Sequence, residues 1–374
     1  MSSQPVTSRT DYVPYSDSVE VEQPNEAEDT QAAIDAFREM SQFAFEKHRH
    51  ASRGAHAKSH GILKGELQVY DNLPEELRQG LFKTARTYPV ILRYSTAPGD
   101  IAPDGIAAFR GLAIKVIGVE GAKISSGSPE AQNAATQDFL MVNGKAFAVA
   151  DIAAFSKQIQ ALAKVTKQPE ELQRAATTLA RAGSATLRAV GVEVVGGAAG
   201  VAMPETHILG ETYATTAALR FGDYVAKLSA VPVSENLKAL TGESIDTGNP
   251  SVLRDLVVEF FRDNSAEYEL CAQLCTNLEK MPVEDASIEW PEDESPYRPV
   301  ARITIPAQEA YSPARRVYGD DVLTFTPFNC LAEHRPLGSV MRARQRAYED
   351  SSRYRHEMNA QQRREPQSID ELPD

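Results

Sequence analysis

The stretch GELQVYDNLPEELRQGLFKTARTYPVILRYSTAPGDIAPDGIAAFRGLAIKVIGV, residues 65–119, contains three short apolar runs, GELQVY (65–70), TYPVILRYST (87–96) and GLAIKVIGV (111–119). Each is rich in β-branched or aromatic residues, and the segments between them are dense in Pro, Gly and Asp, so the three read as strands separated by turns. QDFLMV (137–142) reads the same way. Further along, TAALRFGDYVAKLSAVP (216–232), YELCAQLCTNL (268–278) and YRPVARITIPAQ (297–308) are strand candidates, while RDLVVEFFRDN (254–264) fits a helix and a strand equally.

Blocks of helix interrupt these strands. From Thr30, the residues Ala33, Ile34, Phe37, Met40, Phe43 and Phe45 recur at about three-to-four spacing. Residues 151–190 are Ala-rich with long side chains, which favours helix, and Pro169 followed by two glutamates fits a helix start. A last helix is expected over roughly 338–359. Runs of strands broken by blocks of helix predict an α+β fold with a mostly antiparallel sheet or barrel. Residues 1–30 hold seven acids and one base and read as a flexible acidic arm, of a kind suited to packing on a partner subunit in a homo-oligomer. Residues 31–360 then form the main domain, and QQRREPQSIDELPD (361–374) reads as a mobile tail.

Composition narrows the function. The chain of 374 residues is 42% hydrophobic and 24% charged, an ordinary globular balance that can bury its own core. Its 39 basic and 52 acidic residues leave a net charge of −13, a poor match to nucleic-acid phosphates or anionic lipid. Three cysteines, Cys271, Cys275 and Cys330, do not make a disulfide framework. No apolar run is long and clean enough to span a membrane, and the first residues lack the pattern of a secretory signal, so the expectation is a cytoplasmic protein. The glycine-rich run Gly191–Gly200 lacks the spacing of a nucleotide loop.

Four of the seven histidines, His48, His50, His56 and His60, crowd one stretch. Their spacing matches no closed zinc pattern and no cysteine lies near, so His48, His50 and His60 read as an adventitious group on a loop. His56 differs, because the small residues of RGAHAK (53–58) let the backbone approach something bulky. It is either a histidine satisfied by core hydrogen bonds or an acid–base imidazole in a pocket. In RARQRAYEDSSRYRH (342–356), Arg344 and Tyr348 are four apart on one helical face, and Arg355, seven further on, falls near it. Cations around a phenol favour its phenolate, a hard oxygen ligand that suits ferric iron. By itself this helix reads rather as a solvated basic helix with an amphipathic tyrosine.

Taken in order, five motifs resemble the catalase family: Arg53-Gly54-Ala55-His56-Ala57-Lys58, Arg93-Tyr94-Ser95-Thr96, Arg110-Gly111-Leu112-Ala113-Ile114-Lys115, Trp290-Pro291, and the series Arg344, Tyr348, Asp350, Arg353, Arg355. They run from about residue 50 to 356, and the chain resembles the smaller bacterial-type members that lack large C-terminal additions. The resemblance implies an antiparallel β-barrel with surrounding helices, haem b as cofactor, and hydroperoxidase chemistry on H2O2 or organic hydroperoxides. A small organic electron donor would serve a peroxidase, and a non-catalytic haem-binding or sensing protein is the alternative. It implies His56 as distal acid–base group, Ser95 as its hydrogen-bond partner, Tyr348 as proximal iron ligand and Arg344 as stabiliser of its phenolate. Arg53, Arg93 and Arg355 would pair with the haem propionates or the proximal side, and Phe139 and Phe147 would line the distal face. The chain departs from the family where catalases carry a distal asparagine in N-x-T-P-x-F-F. Here residues 133–140 read NAATQDFL; anchoring on Thr136 and Phe139 puts Ala134 at the asparagine position, with Asn133 one residue away. That departure leaves peroxidase chemistry open beside catalase turnover.

Overall fold

The computed structural model describes residues 12–124, 134–189 and 203–374, with side chains described throughout these except at 184–189. Nine strands make one antiparallel sheet: β1 (Lys58–Val69), β2 (Thr87–Thr96), β3 (Arg110–Ile117), β4 (Thr136–Val142), β5 (Tyr213–Ala214), β6 (Leu219–Phe221), β7 (Tyr224–Pro232), β8 (Ala266–Leu274) and β9 (Arg298–Ile305). The order β5-β4-β3-β2-β1-β9-β8-β7 closes on itself, because the two residues of β5 pair with Val142 of β4 on one side and with Ser229 and Ala230 of β7 on the other. Eight strands thus form a closed barrel, and β6 hangs on the start of β7. Closure satisfies the backbone groups that an open sheet would leave at its edges.

Side chains alternate across the barrel wall with the period of two that strands impose. Leu92 and Tyr94 of β2, Leu112 and Ile114 of β3, and Phe139 and Met141 of β4 belong to the central barrel core. Their neighbours Ile91, Ala113 and Leu140 belong to a second cluster on the outer face, with Leu323 and Phe325. On this outer face lie three of the longer helices. The longer helices are α1 (Glu26–His48), α2 (Ile152–Thr166), α3 (Glu170–Ala189), α4 (Val252–Asp263) and α5 (Ser339–Met358), and the three on this face are α1, α2 and α5. α1, α2 and α5 share an apolar cluster through Ala33, Met40, Phe155, Ile159, Val340 and Ala343. The Asp151 carboxylate caps α2 by accepting from the Ala154 N–H at 2.9 Å, and three acids sit in the first turn of α1, where the helix dipole favours them.

Several expectations change here. The ambiguous 254–264 segment is helix α4. His60 is not on a loop: β1 begins at Lys58, and His60 is buried in it beside Thr96. Residues 12–30 are not a free arm. The Val13 N–H donates to the Cys275 carbonyl, and Glu20 pairs with Arg335 at 2.7 Å and Arg342 at 2.8 Å, which ties the segment to arginines on and near α5. The tail is likewise packed down. Leu372 is fully buried, and Glu365 reaches Lys115 at 2.7 Å, a buried lysine that needs counter-charge. The cysteines are all free and buried. Residues 191–200 and Asn133 lie outside the described residues. Among the described residues no helix is long and apolar enough to cross a membrane.

Candidate functional site

Between the outer face of β1–β4 and the helices α1, α2 and α5 lies a cavity of about 320 Å³, within the range of small-molecule and cofactor sites. Its walls are mostly apolar, with Leu140, Val142, Phe147, Phe155 and Ile159 among them. His56, Ser95, Arg53, Arg93, Arg344, Tyr348 and Arg355 all border it. Side chains about 300 residues apart in the chain therefore face one space.

His56 precedes β1 with a left-handed backbone, φ 54°. Its Nδ1 lies 3.0 Å from the Ser95 Oγ of β2. Arg93 and Ser95 point to this face because Tyr94 between them points into the barrel. Gly111 of β3 backs the imidazole. A Cβ there would stand 2.6 Å from the His56 ring, so only glycine leaves room. Burial, then the charges of Arg93, Arg344 and Arg53, pushes the imidazole down to about 3, which keeps it neutral at ordinary pH.

On the helical side, Arg344 donates to the Tyr348 hydroxyl at 2.7 Å, one turn along α5. The guanidinium also stands 5.1 Å from the Phe147 ring centre and 5.2 Å from that of Tyr348, so it is held between two rings. A cationic donor at this distance stabilises negative charge on the phenol oxygen. Asp350 and Arg353 of the same series do not reach the cavity; Asp350 ties α5 to α1 through Arg38 at 2.5 Å.

The three arginines converge on the turn Tyr318–Val322. Arg53 donates to the carbonyls of Gly319 and Leu323 at 2.7 and 2.8 Å, and Arg355 to those of Asp320 and Asp321 at 2.5 and 2.7 Å. Arg93 donates from Nε to the Asp320 carboxylate at 2.9 Å, and the Ser59 hydroxyl donates to its other oxygen at 2.5 Å. Burial works to raise the Asp320 carboxyl, but Arg93 and Arg53 outweigh it and hold it below the ordinary value. Burial, then Arg93 and Arg355, pushes Arg53 well below its usual range, and burial pushes Arg355 down to about 10. Three guanidiniums around this carboxylate are short of negative charge. Such a cluster suits an anionic ligand with carboxylates of its own.

These residues fit haem. The apolar walls suit a macrocycle, the arginines suit its two propionates, and the imidazole and phenol border the same space. Phe147 lines the cavity, but Phe139 does not. It points into the barrel, 6.2 Å from Phe82 and 5.9 Å from His334 between ring centres, because the strand's alternation turns Leu140 outward instead. Ala134 is buried and does not border the cavity. His48 and His50 go to separate acids, Asp100 at 2.5 Å and Asp321 at 2.8 Å. Asp320, Leu140 and Phe325 escaped the sequence reading, and nothing in the spacing of YGDDV marks Asp320. Gly111 was in view within RGLAIK, but its task shows only against the imidazole.

No curated protein matches the chain. Among solved structures it is similar to a fungal catalase, at 18% identity and a TM-score of 0.57, covering 84% of this chain and 62% of that one. It is also similar to a bacterial catalase, at 17% identity and 0.55, covering 84% and 59%, and to catalase A from Saccharomyces cerevisiae, at 16% and 0.57, covering 89% and 70%. The chain spans about three-fifths of the length of the first two. At these identities the likeness is one of fold, and it agrees with the closed barrel. A family model described as catalase matches residues 25–364, nearly the whole chain, and on that match the chain belongs to the catalase family.

Proposed function

We propose that the protein is a haem-dependent hydroperoxidase that reduces H2O2 or an organic hydroperoxide. The observation that carries this reading is the shared cavity: a neutral imidazole on one wall, a phenol held by a guanidinium on another, and an arginine cluster at its edge. Haem b, when bound, would supply an iron able to accept the oxidising equivalent of a peroxide. Tyr348 would ligate that iron, with Arg344 stabilising charge on its oxygen. Arg53, Arg93 and Arg355 would hold the propionates, and Phe147 with the aliphatic wall would cover the ring.

His56 is the proton carrier. Its Nδ1 is engaged by Ser95, so Nε2 is the nitrogen left to take a proton from a peroxide oxygen and return it to the departing one. A neutral ring is the form that can begin this exchange, and burial together with the flanking arginines keeps it neutral. The sequence departs from the family at the distal asparagine, with Ala134 at the matched position and Asn133 one residue away, so a peroxidase working with a small organic donor stands beside full catalase turnover.

The test is reconstitution with haem followed by spectroscopy and peroxide titration. Wild type should show a Soret band and consume peroxide. Oxygen release from H2O2 alone would mark a catalase; turnover that requires an added donor would mark a peroxidase. His56→Ala should retain haem but slow peroxide cleavage by about 10²- to 10⁴-fold, and Tyr348→Phe should alter the ferric spectrum and loosen haem. Unchanged kinetics in the first, or an unchanged spectrum in the second, would remove that residue from the site.

A further inference from the structure

A second, much smaller cavity lies against Tyr348. It measures about 20 Å³, and its walls include Thr324, Thr326, Tyr348, Glu349, Ser352 and Arg363. Thr324, Tyr348 and Ser352 border the large cavity as well, so the two spaces share these walls.

Arg363 reaches this place from the C-terminal segment, and its neighbours fix it there. Arg364 forms a parallel bridge with Leu323, and Glu365 pairs with Lys115 at 2.7 Å. The Arg363 side chain is 10% exposed, and its Nη1 donates to the Glu349 carboxylate of α5 at 3.1 Å. Its Nε is buried and meets no acceptor among the described residues. A buried N–H of a cation is costly to leave unpaired, and native structures satisfy such groups with protein atoms or ordered water.

The walls supply further partners. The Thr326 hydroxyl accepts from the Phe328 N–H at 3.3 Å and still has its own proton to give. The Thr324 and Ser352 hydroxyls lie 3.2 Å apart; one donates to the other, and lone pairs remain on both. A buried water needs about 10–15 Å³ of such space and roughly two to four polar partners. Both conditions are met here for a single molecule. A space of this size is too small for a phosphate or a carboxylate. The guanidinium opposes a metal cation, and the Glu349 carboxylate opposes a halide.

We infer that this site holds one ordered water bound by Arg363 Nε, and that Arg363 is thereby a positioning residue for Tyr348. A gap beside a ring forfeits packing contacts on that side and leaves the ring room to lean. A water held by a fixed guanidinium closes the gap and keeps the phenol turned to the large cavity. The positioning role rests on the reading of Tyr348 as iron ligand; the water itself does not.

The test has two arms. The first is a high-resolution crystal structure of the full-length protein grown with sodium bromide in place of chloride. It should show one density peak about 2.7–3.2 Å from Arg363 Nε, without the anomalous signal of bromide. No peak, a peak with that signal, or an Nε that donates to a protein atom would overturn the proposal. The second arm compares Arg363→Met and Arg363→Lys after reconstitution with haem. Both remove the Nε–H, and the lysine keeps a positive charge beside Glu349. Both should shift the ferric spectrum and speed haem transfer to apomyoglobin about tenfold, with the circular dichroism of wild type. A wild-type spectrum in both variants, or in Arg363→Lys alone, would remove the water from the positioning of Tyr348. A wild type that takes up no haem would overturn the reading of Tyr348 and the role of Arg363 with it, while the density at Nε would still decide the water.

Discussion

His56 combines two costs at one position. Its left-handed backbone is unusual for a side chain with a Cβ and costs on the order of 1–3 kcal/mol, and burial among cations makes a proton on its imidazole unfavourable. Costs of this kind persist where the surroundings over-determine them, here Ser95, Gly111 and three arginines. A pH dependence follows. The folded imidazole titrates near 3 against about 6.5 for an unfolded histidine. Below about pH 6.5 the unfolded chain binds a proton that the folded protein does not. Stability contributed by the neutral ring is therefore present above the unfolded value and is lost as pH falls toward the folded one. His56→Gln removes this term. In urea unfolding, the difference between wild type and variant should shift in the variant's favour by up to about 2 kcal/mol between pH 8 and pH 5. A difference that does not move with pH would mean that His56 is protonated in the folded protein.

At the scale of elements, the C-terminal segment and the strand pair β3–β4 are joined by one buried lysine. Lys115 donates to Asp138 at 2.7 and 3.0 Å and to Glu365 at 2.7 Å; all three side chains are buried. The Asn329 amide donates to Thr136 at 2.7 Å, and the Thr326 N–H to Asp138 at 3.0 Å. Burial, and Glu365 against the pull of Lys115, pushes the Asp138 carboxyl up to about 6. Lys115→Met would leave two carboxylates facing each other away from water, and loss of one partner of a buried pair costs about 3–5 kcal/mol. The sign with pH is opposite to that of His56. A buried acid whose folded value is raised holds a proton that the unfolded chain has lost, so its penalty is present above the folded value and is relieved as pH falls. The variant should therefore lose more stability at pH 8 than at pH 5 by urea unfolding. An equal loss at both would place the cost in packing alone.

For the whole molecule, the barrel and the helices each supply one side of the cavity, and neither encloses it alone. The imidazole and two of the arginines come from β2 and the segment before β1, while the phenol and two further arginines come from α5. A ligand held by both layers binds only the assembled fold, so it stabilises the whole by mass action. Haem at about a hundred times its dissociation constant should add about 2.7 kcal/mol, read as a raised midpoint in thermal unfolding followed by circular dichroism. Tyr348→Phe should show a smaller rise. A midpoint that ignores haem would sink the assignment of this cavity to the cofactor.

The order of motifs from RGAHAK to the Arg344–Arg355 series was enough to name the family, the barrel, and His56, Ser95, Tyr348 and the four arginines that border the cavity. These are local patterns: small residues about a histidine, alternation within strands, and a four-residue step on a helix. Several features became legible only in three dimensions. Phe139 faces the barrel core because the register of β4 against β3 turns Leu140 outward, and a one-residue step in a strand exchanges faces. Asp320 gathers three arginines although nothing in its neighbours marks it, since each of those arginines is brought to it from a different element. The terminal segments look polar and free in sequence, yet residues 12–30 and 361–374 are held by Arg335, Arg342 and the buried Lys115, cations that only the fold brings alongside them. Local pattern is written residue by residue; which charge lacks a partner, and which face of a strand meets a ligand, depends on what the closed barrel brings alongside.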